Sequence, residues 1–367
     1  VAAAQAAATH RVGYPLLEDA AMAERRASRL TGTRAHPICQ LEDTLMDLDV
    51  LRRQVPGWLG RFGRLAVLSL GVFGATIPAS QGWAQNATDV EPTRQSAGND
   101  AIAVHVDKSQ FNLLHPTPAA DMRPFSTDRP GKTHSSLTVD AGHFQLEGDF
   151  WNYTWDRYTT DHTTIRANTF LNPNLKLGLT NWAELDVFLP LYNTLNVRSR
   201  NGQGIARAQG FGDVLLGGKV NFFGNDGGDQ ALAAIGFIKL PTAARGLGNN
   251  MVEYTLNLPF TTALANKFSL TVEPAIGVLR NLNKQGYQAD YQFLINLNRP
   301  IIGETVIAAL ELALDFPGDH NIGPRHTIDP SIQWLITPNT QLDVGVYIGL
   351  TKAAPDWNPY VGISFRF

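Results

Sequence analysis

From Gly142 to Phe367 the chain alternates apolar and polar residues in one segment after another, each about ten residues long. In "ETVIAALELALDF", Val306, Ala308, Leu310, Leu312 and Leu314 share one parity, and Thr305, Ile307, Ala309, Glu311, Ala313 and Asp315 share the other. "TQLDVGVYIGLT" repeats the arrangement, with Leu342, Val344, Val346, Ile348 and Leu350 opposite Gln341, Asp343, Gly345, Tyr347, Gly349 and Thr351. A strand sends successive side chains to opposite faces, so each segment reads as a strand with one apolar face and one mixed face. About ten residues is also the length that takes a tilted strand across a bilayer.

This template places strands near 143–156, 163–178, 183–193, 212–223, 230–240, 251–262, 267–279, 289–298, 304–316, 327–336, 341–351 and 359–367. Pro274 lies inside one of them and predicts a bulge, because proline cannot donate to a ladder. "QALAAIGFIKL" carries apolar residues on both parities and leaves its inward face open. Links after even-numbered strands are short ("TNWA", "GNDGGD", "ANK", "TPNT"). Most of the others are longer, among them "TLNVRSRNGQGIARAQGF", "PTAARGLGNN" and "PGDHNIGPR". Short turns at one end and longer loops at the other are the habit of an outer-membrane barrel, whose short turns face the periplasm.

The two faces separate this reading from a soluble barrel or sandwich. Glu147, Asp149, Glu184, Asp186, Asp213, Glu253, Glu273, Glu311, Asp315, Asp329 and Asp343 fall on the mixed face, together with Arg166, Lys176, Lys219, Lys239 and Arg366. The apolar face carries almost no charge, as expected where Arg or Lys at a bilayer midplane costs ~2–4 kcal/mol. Aromatics gather near strand ends (Trp182, Phe222, Phe260, Phe268, Phe316, Trp334, Phe365, Phe367), which fits two interfacial girdles. A sheet in hydrocarbon must close on itself to pair every backbone group, so the first and last strands are expected to meet. The fold class is therefore all-β: a closed antiparallel up-and-down transmembrane β-barrel of about 12 strands.

Upstream, "RFGRLAVLSLGVFGATIPASQGWAQ" places basic Arg61 and Arg64 before an apolar run from Leu65 to Ile77, then Pro78 and small Gly82 and Ala84. That order predicts a signal peptide over 61–84, preceded by an upstream or mis-assigned extension over 1–60. Residues 85–140 are rich in Pro, Asp, Ser and Ala and read as an irregular periplasmic leader or a lumen plug, with the barrel over 141–367. The single cysteine, Cys39, precedes the signal, so the barrel region holds no disulfide. A net charge of −3 points away from nucleic acid, which calls for a basic face.

"STDRPGKTHSSLTVDAGHFQLEGDF", "KLGLTNWAELDVFLPL", "GFGDVLLGGKVNFF", "GFIKLPT" and "ITPNTQLDVGVYIGLTKAAPDWNPYVGISFRF" resemble the transporter-like outer-membrane β-barrel family named for the MetA pathway of phenol degradation. The resemblance runs from about Phe125 to Phe367 and implies a bacterial outer-membrane barrel. The closing "GISFRF" is similar to the C-terminal signature that such barrels present to the barrel assembly machinery, with Phe365 and Phe367 as its aromatic residues.

Motifs for chemistry are sparse. "PGKT" at Pro130 to Thr133 lacks the earlier glycine of a phosphate loop, where Ser126 stands, and "GQGIARAQG" lacks dinucleotide spacing and falls in an expected external loop. His320 and His326 near Asp319 and Asp329 read as a solvated loop before they read as a metal site. Ser331, Asp329 and His326 are the best candidates for a lipase-type site, on spacing alone. The expectation is a passive channel for small molecules, in contact with outer-membrane lipid and without cofactor, metal or catalytic residues. Its lumen would be lined by Glu147, Asp149, Arg166, Glu184, Asp186, Asp213, Lys219, Glu253, Glu273, Glu311, Asp343, Tyr347 and Arg366. Rings of carboxylates favour cationic or neutral solutes. Inward-parity Trp151, Tyr153, Phe170, Phe188, Tyr347 and Tyr360 would suit an aromatic one. The alternatives are a barrel enzyme of the lipase type, or a structural barrel plugged by "DMRPFSTDRPGKT".

Overall fold

The computed structural model describes residues 107–158, 163–199, 201–281 and 285–367. The expected extension (1–60), the signal peptide (61–84) and the first part of the leader lie outside the described residues. From Phe144 onward the chain forms one antiparallel sheet that closes: β1 (Phe144–Tyr158) pairs with β2 (Thr163–Thr180) on one side and with β15 (Trp357–Arg366) on the other. Gln145 faces Arg366 and Glu147 faces Ser364 across the closing seam. Closure leaves no open edge there, as an apolar surround requires.

The barrel has 12 strands, three of which are interrupted. The third is β3 (Ala183–Phe188) followed by β4 (Tyr192–Ser199), the fourth is β5 (Gly204–Gly210) followed by β6 (Leu215–Phe223), and the sixth is β8 (Glu253–Asn257) followed by β9 (Phe260–Ala263). Pro190 and Pro259 sit in two of these breaks, where a missing N–H does no harm. The remaining strands are β7 (Gln230–Lys239), β10 (Ser269–Arg280), β11 (Tyr287–Ile302), β12 (Val306–Phe316), β13 (Arg325–Thr337) and β14 (Thr340–Gly349). Pro274 makes no bulge. It pairs in continuous register with Phe293 and lies opposite the break between β8 and β9.

"TLNVRSRNGQGIARAQGF" is not a loop. It supplies β4 and β5, which pair with each other and, through β4, with the upper half of β2. The local sequence alternates there too, and the two strands gain a partner each by extending the wall.

Over most of the barrel the outer face is apolar, with Leu175, Leu185, Leu216, Ile238, Leu256, Ile276, Leu310, Ile332, Val344 and Val361 all exposed. A contiguous apolar surface of that extent is a lipid-facing belt. Trp182, Phe222, Phe316, Trp334 and Trp357 are exposed near its margins. In β7 the inner face is Ala231, Ala233, Ile235, Phe237 and Lys239, all buried, which settles its register.

Four neighbouring strands exchange their faces along one line. In β1 and β2, Asp149 pairs with Asn172 and Trp151 with Phe170, so the facing Phe150 and Leu171 leave the ladder without a change of register between these two strands, while β1 shifts register against β15 at the same point. Leu171 takes φ 52°, a left-handed value that bulges a strand. The breaks at 189–191 and 211–214 continue that line into the third and fourth strands. Below it Lys176, Asn174, Glu184, Asp186 and Lys219 are buried inside; above it Ile165, Ala167, Leu195, Val197 and Ala208 are buried inside.

That inversion corrects several expectations. Arg166 is exposed on the outer face, not lumen-lining, because it lies beyond the bulge from Lys176. Trp151, Tyr153 and Phe170 are likewise outside: Trp151 stacks on Tyr153 with centroids 6.1 Å apart, and Phe170 packs against Tyr192. Above the line the apolar residues instead form an inner cluster capped by Leu247 of the β7–β8 loop.

Candidate functional site: the barrel interior

The interior is occupied by the chain's own leader. Residues 123–140 rise from the short-turn end, cross the lumen at Arg129 to His134, and descend to Asp140 just before β1. A segment with so few apolar side chains cannot build a core of its own, and a polar barrel wall supplies the partners its backbone needs.

The floor is set by Arg123. Its Nη1 donates to the Thr138 carbonyl at 3.0 Å, its Nε to Asp226 at 3.0 Å, and its own carbonyl accepts from Arg366 Nη1 at 2.7 Å. Arg366 also donates to Asn339, tying the leader to the last strand and the β13–β14 turn.

Higher up, Asp128 accepts from Lys176 Nζ at 2.6 Å and Lys219 Nζ at 2.9 Å, while its N–H donates to Glu147 at 2.8 Å. Burial pushes the Asp128 carboxyl up, but Lys176 and Lys219 outweigh it and hold it well below the usual carboxylate range. Glu184 completes the cluster, 3.2 Å from Lys176 and 3.1 Å from Lys219, and accepts the Val139 N–H. Asp186 is buried on the inner face of β3, opposite Lys176 in register.

At mid-height Arg129 forks across β15, between Asp149 of β1 and Asp343 of β14, both of which pair with Gly362. Nη1 donates to Asp149 at 2.8 Å, and Nη2 and Nε donate to Asp343 at 2.7 and 3.0 Å. Only an arginine offers that planar fork. Gly362 is part of the same fit, since a Cβ there would strike the guanidinium.

The "PGKT" turn comes next. The Lys132 and Thr133 N–H groups and the Thr133 hydroxyl all donate to Glu311, at 3.0, 2.8 and 2.6 Å. The turn thus holds a carboxylate of its own barrel. Lys132 Nζ donates to Thr327 at 2.9 Å and lies 4.7 Å from the Tyr347 ring centroid. Burial draws its ammonium below the usual lysine range, against the pull of Glu311. His134 meets Glu273 through its N–H at 2.6 Å and Nδ1 at 2.8 Å.

Most of the expected lumen residues are therefore inside and engaged. Glu147, Asp149, Glu184, Glu273, Glu311, Asp343, Lys219 and Arg366 all contact the leader, and the Tyr347 hydroxyl donates to the Pro130 carbonyl at 3.2 Å. Asp213 and Glu253 are inside but serve the β7–β8 loop: both pair with Lys239, and Asp213 accepts the Ala243 N–H at 2.9 Å. Sequence reasoning found these carboxylates by parity; it missed Arg129 and Asp128, whose signal was charge in a segment with no period.

The inner aromatics are similarly taken. Tyr360 donates to Asp329 at 2.7 Å and lies under Arg129, with Tyr347 beside it. Phe188 packs edge-on against Phe237. Beside the leader, toward the short-turn end, lies a cavity of about 280 Å³. Its wall mixes hydroxyls and amides, among them Ser126, Thr271, Asn296 and Gln341, with the apolar side chains of Phe125, Leu137, Ile307 and Leu335.

The candidate enzymatic residues do not assemble. Ser331 is buried on the inner face of β13, whereas His326 is on the opposite parity against Phe316, with centroids 5.0 Å apart. Asp329 is held by Tyr360 and the Val346 N–H. Asp319 organises its own loop by accepting from Asn321. Among the described residues no three His, Cys, Asp or Glu side chains converge as a metal site.

Fold and interior together define a closed β-barrel with an apolar belt and a charged lumen occupied by its own leader. Residues 127–367 match the family described as "Putative MetA-pathway of phenol degradation", and the chain belongs to that family. Among solved structures it is similar to the COG4313 outer membrane channel from Pseudomonas putida F1, at 14% identity over 61% of this chain and 95% of that one, TM-score 0.48. It is also similar to the NanC porin, at 8% identity over 60% and 98%, TM-score 0.40. The monoaromatic hydrocarbon channel CymD matches at 6% identity over 61% and 87%, TM-score 0.36. No curated protein sequence matches the chain.

Proposed function

We propose that the protein is a bacterial outer-membrane channel that passes small molecules passively, with the leader at residues 123–140 as its constriction. The observation that carries this is the lumen itself: a charged interior inside a closed, lipid-belted wall, occupied by a segment held through discrete ion pairs. Membership of the family supports the same reading.

The solutes are small and neutral rather than cationic. The carboxylates that suggested a cation path are neutralised by Arg129, Lys176, Lys219 and the leader's N–H groups, while the cavity beside the leader mixes hydroxyls and amides with apolar side chains. An aromatic preference has little support from the inner wall, since Tyr347 and Tyr360 pack on the leader and Trp151, Tyr153 and Phe170 lie outside. The reading assigns no catalytic residue. The last strand, with Phe365 and Phe367, is the segment that the assembly machinery would engage.

Planar-bilayer recording of the purified protein, with and without residues 123–135, tests the channel. The expected result is a small unitary conductance in the full protein and a several-fold larger one in the deletion variant. Silence from both proteins in every salt would favour a purely structural barrel.

A further inference from the structure

We propose that the outer face of β1, β2, β4 and β5 at the long-loop end is a binding surface for the phosphate groups of an anionic glycolipid of the outer leaflet. The proposal rests on the reading that this barrel sits in the outer membrane with its long loops outward.

Above the line of bulges, strand pairing lays the outward side chains in successive rows. Trp151, Phe170 and Tyr192 form the lowest row. Tyr153, Asn168, Thr194 and Gln209 form the next. Trp155, Arg166, Asn196 and Arg207 follow, then Arg157, Thr164 and Arg198. The order is aromatic, amide and hydroxyl, then guanidinium. That is the sequence of environments a wall meets on leaving hydrocarbon, passing through the interface and entering a charged headgroup layer.

The charge is one-sided. All four arginines are exposed. Arg157 pairs with Asp356 at 3.1 Å, and among the described residues Arg198 bonds only to the neighbouring Asn196 amide, at 3.3 Å. Arg166 and Arg207 flank Asn196 on the adjacent strands and have no ion pair or hydrogen bond among the described residues. The only carboxylate in the described upper halves of these four strands is Asp156, which is buried on the other face. Uncompensated guanidinium groups on one rigid sheet suit phosphate, which their planar fork binds bidentately. The amide nitrogens of Asn196 and Gln209 add donors for the sugar hydroxyls of the same headgroup, whereas Asn168 is engaged by Trp151 and Thr194.

The inversion of faces points the same way. Beneath the patch the inner side is the apolar cluster of Ile165, Ala167, Leu195, Val197 and Ala208, so this part of the wall is built apolar-in and polar-out for an aqueous or headgroup surround. Arginines here avoid the bilayer cost they would carry lower down.

The test uses the full protein in a neutral detergent, titrated with a bis-phosphorylated lipid A glycolipid and, separately, with the same glycolipid after removal of its phosphates. Binding is read by tryptophan fluorescence and native-gel shift. The phosphorylated form should bind at least about tenfold more tightly, and R166Q/R207Q should lose that advantage while retaining heat-modifiable gel mobility and conductance. Equal binding of the two glycolipids to the unaltered protein would overturn the proposal, with no variant needed. So would a double variant that binds like the parent, or displacement by inorganic phosphate as effective as by the glycolipid. Conductance is measured independently, so failure of the channel reading would be seen apart from failure of this one.

Discussion

Arg166 and Lys176 stand ten residues apart on β2 with the same parity, yet Lys176 is buried inside the barrel and Arg166 is exposed outside it. Leu171, at φ 52°, lies between them and turns the strand over. Removing each side chain should therefore have opposite consequences. Arg166→Leu should change thermal stability by less than about 0.5 kcal/mol, as for other surface sites. Lys176→Met strips a cation from Asp128, Glu147 and Glu184 and should cost about 3–5 kcal/mol, measured by urea unfolding in micelles. Equal effects would mean that the face inversion is absent.

The leader should be released by breaking one fork. Arg129→Ala leaves Asp149 and Asp343 unpaired in the lumen, and Gly362→Ala places a methyl where the guanidinium sits. Both should raise single-channel conductance or the frequency of open events, and Arg129→Lys should restore little, because an ammonium cannot span both carboxylates in that geometry. If Gly362→Ala records like the parent while Arg129→Ala does not, the two residues are not parts of one fit.

Acid should loosen the base of the leader. Burial lifts the Asp226 carboxyl, but Arg123, Asn181 and Lys108 outweigh it and hold it below its ordinary value. A depressed carboxylate adds stability that is present above its unfolded pKa, near ~4, and is lost as pH falls through its lower folded value. Protease cleavage within residues 107–124 should accordingly rise below about pH 4, and Asp226→Asn should show raised cleavage at neutral pH with a flatter profile. A parent protein whose cleavage is flat down to pH 2.5 would contradict this.

Phe367 is 72% exposed and is held mainly by its backbone, whose N–H donates to the Phe144 carbonyl at 2.9 Å. Deleting it should leave the unfolding midpoint of refolded barrel within about 1 kcal/mol of the parent, by its small loss of burial. Its yield in the outer membrane of cells should fall several-fold. Matching losses in refolding and in cells would point to ordinary destabilisation instead of an assembly signal.

Much of this protein is legible in its sequence. Period-2 alternation, even spacing and the asymmetry of link lengths determine a closed antiparallel barrel, because a strand's faces repeat every two residues and hydrocarbon forbids an open edge. Carboxylates such as Glu147, Glu273 and Glu311 are placed inside by that arithmetic alone. Tertiary structure decided the rest. A single left-handed residue, Leu171, reverses a parity count, and nothing local distinguishes it from its neighbours; only the matching breaks in three adjacent strands fix where the reversal falls. The leader has no period to read, so its place in the lumen follows from distant partners, as when Arg129 spans Asp149, 20 residues on, and Asp343, 214 residues on. Alternation tells each side chain which face it shares with its neighbours, but the identity of the medium on that face is set only when the sheet closes and its own leader fills it.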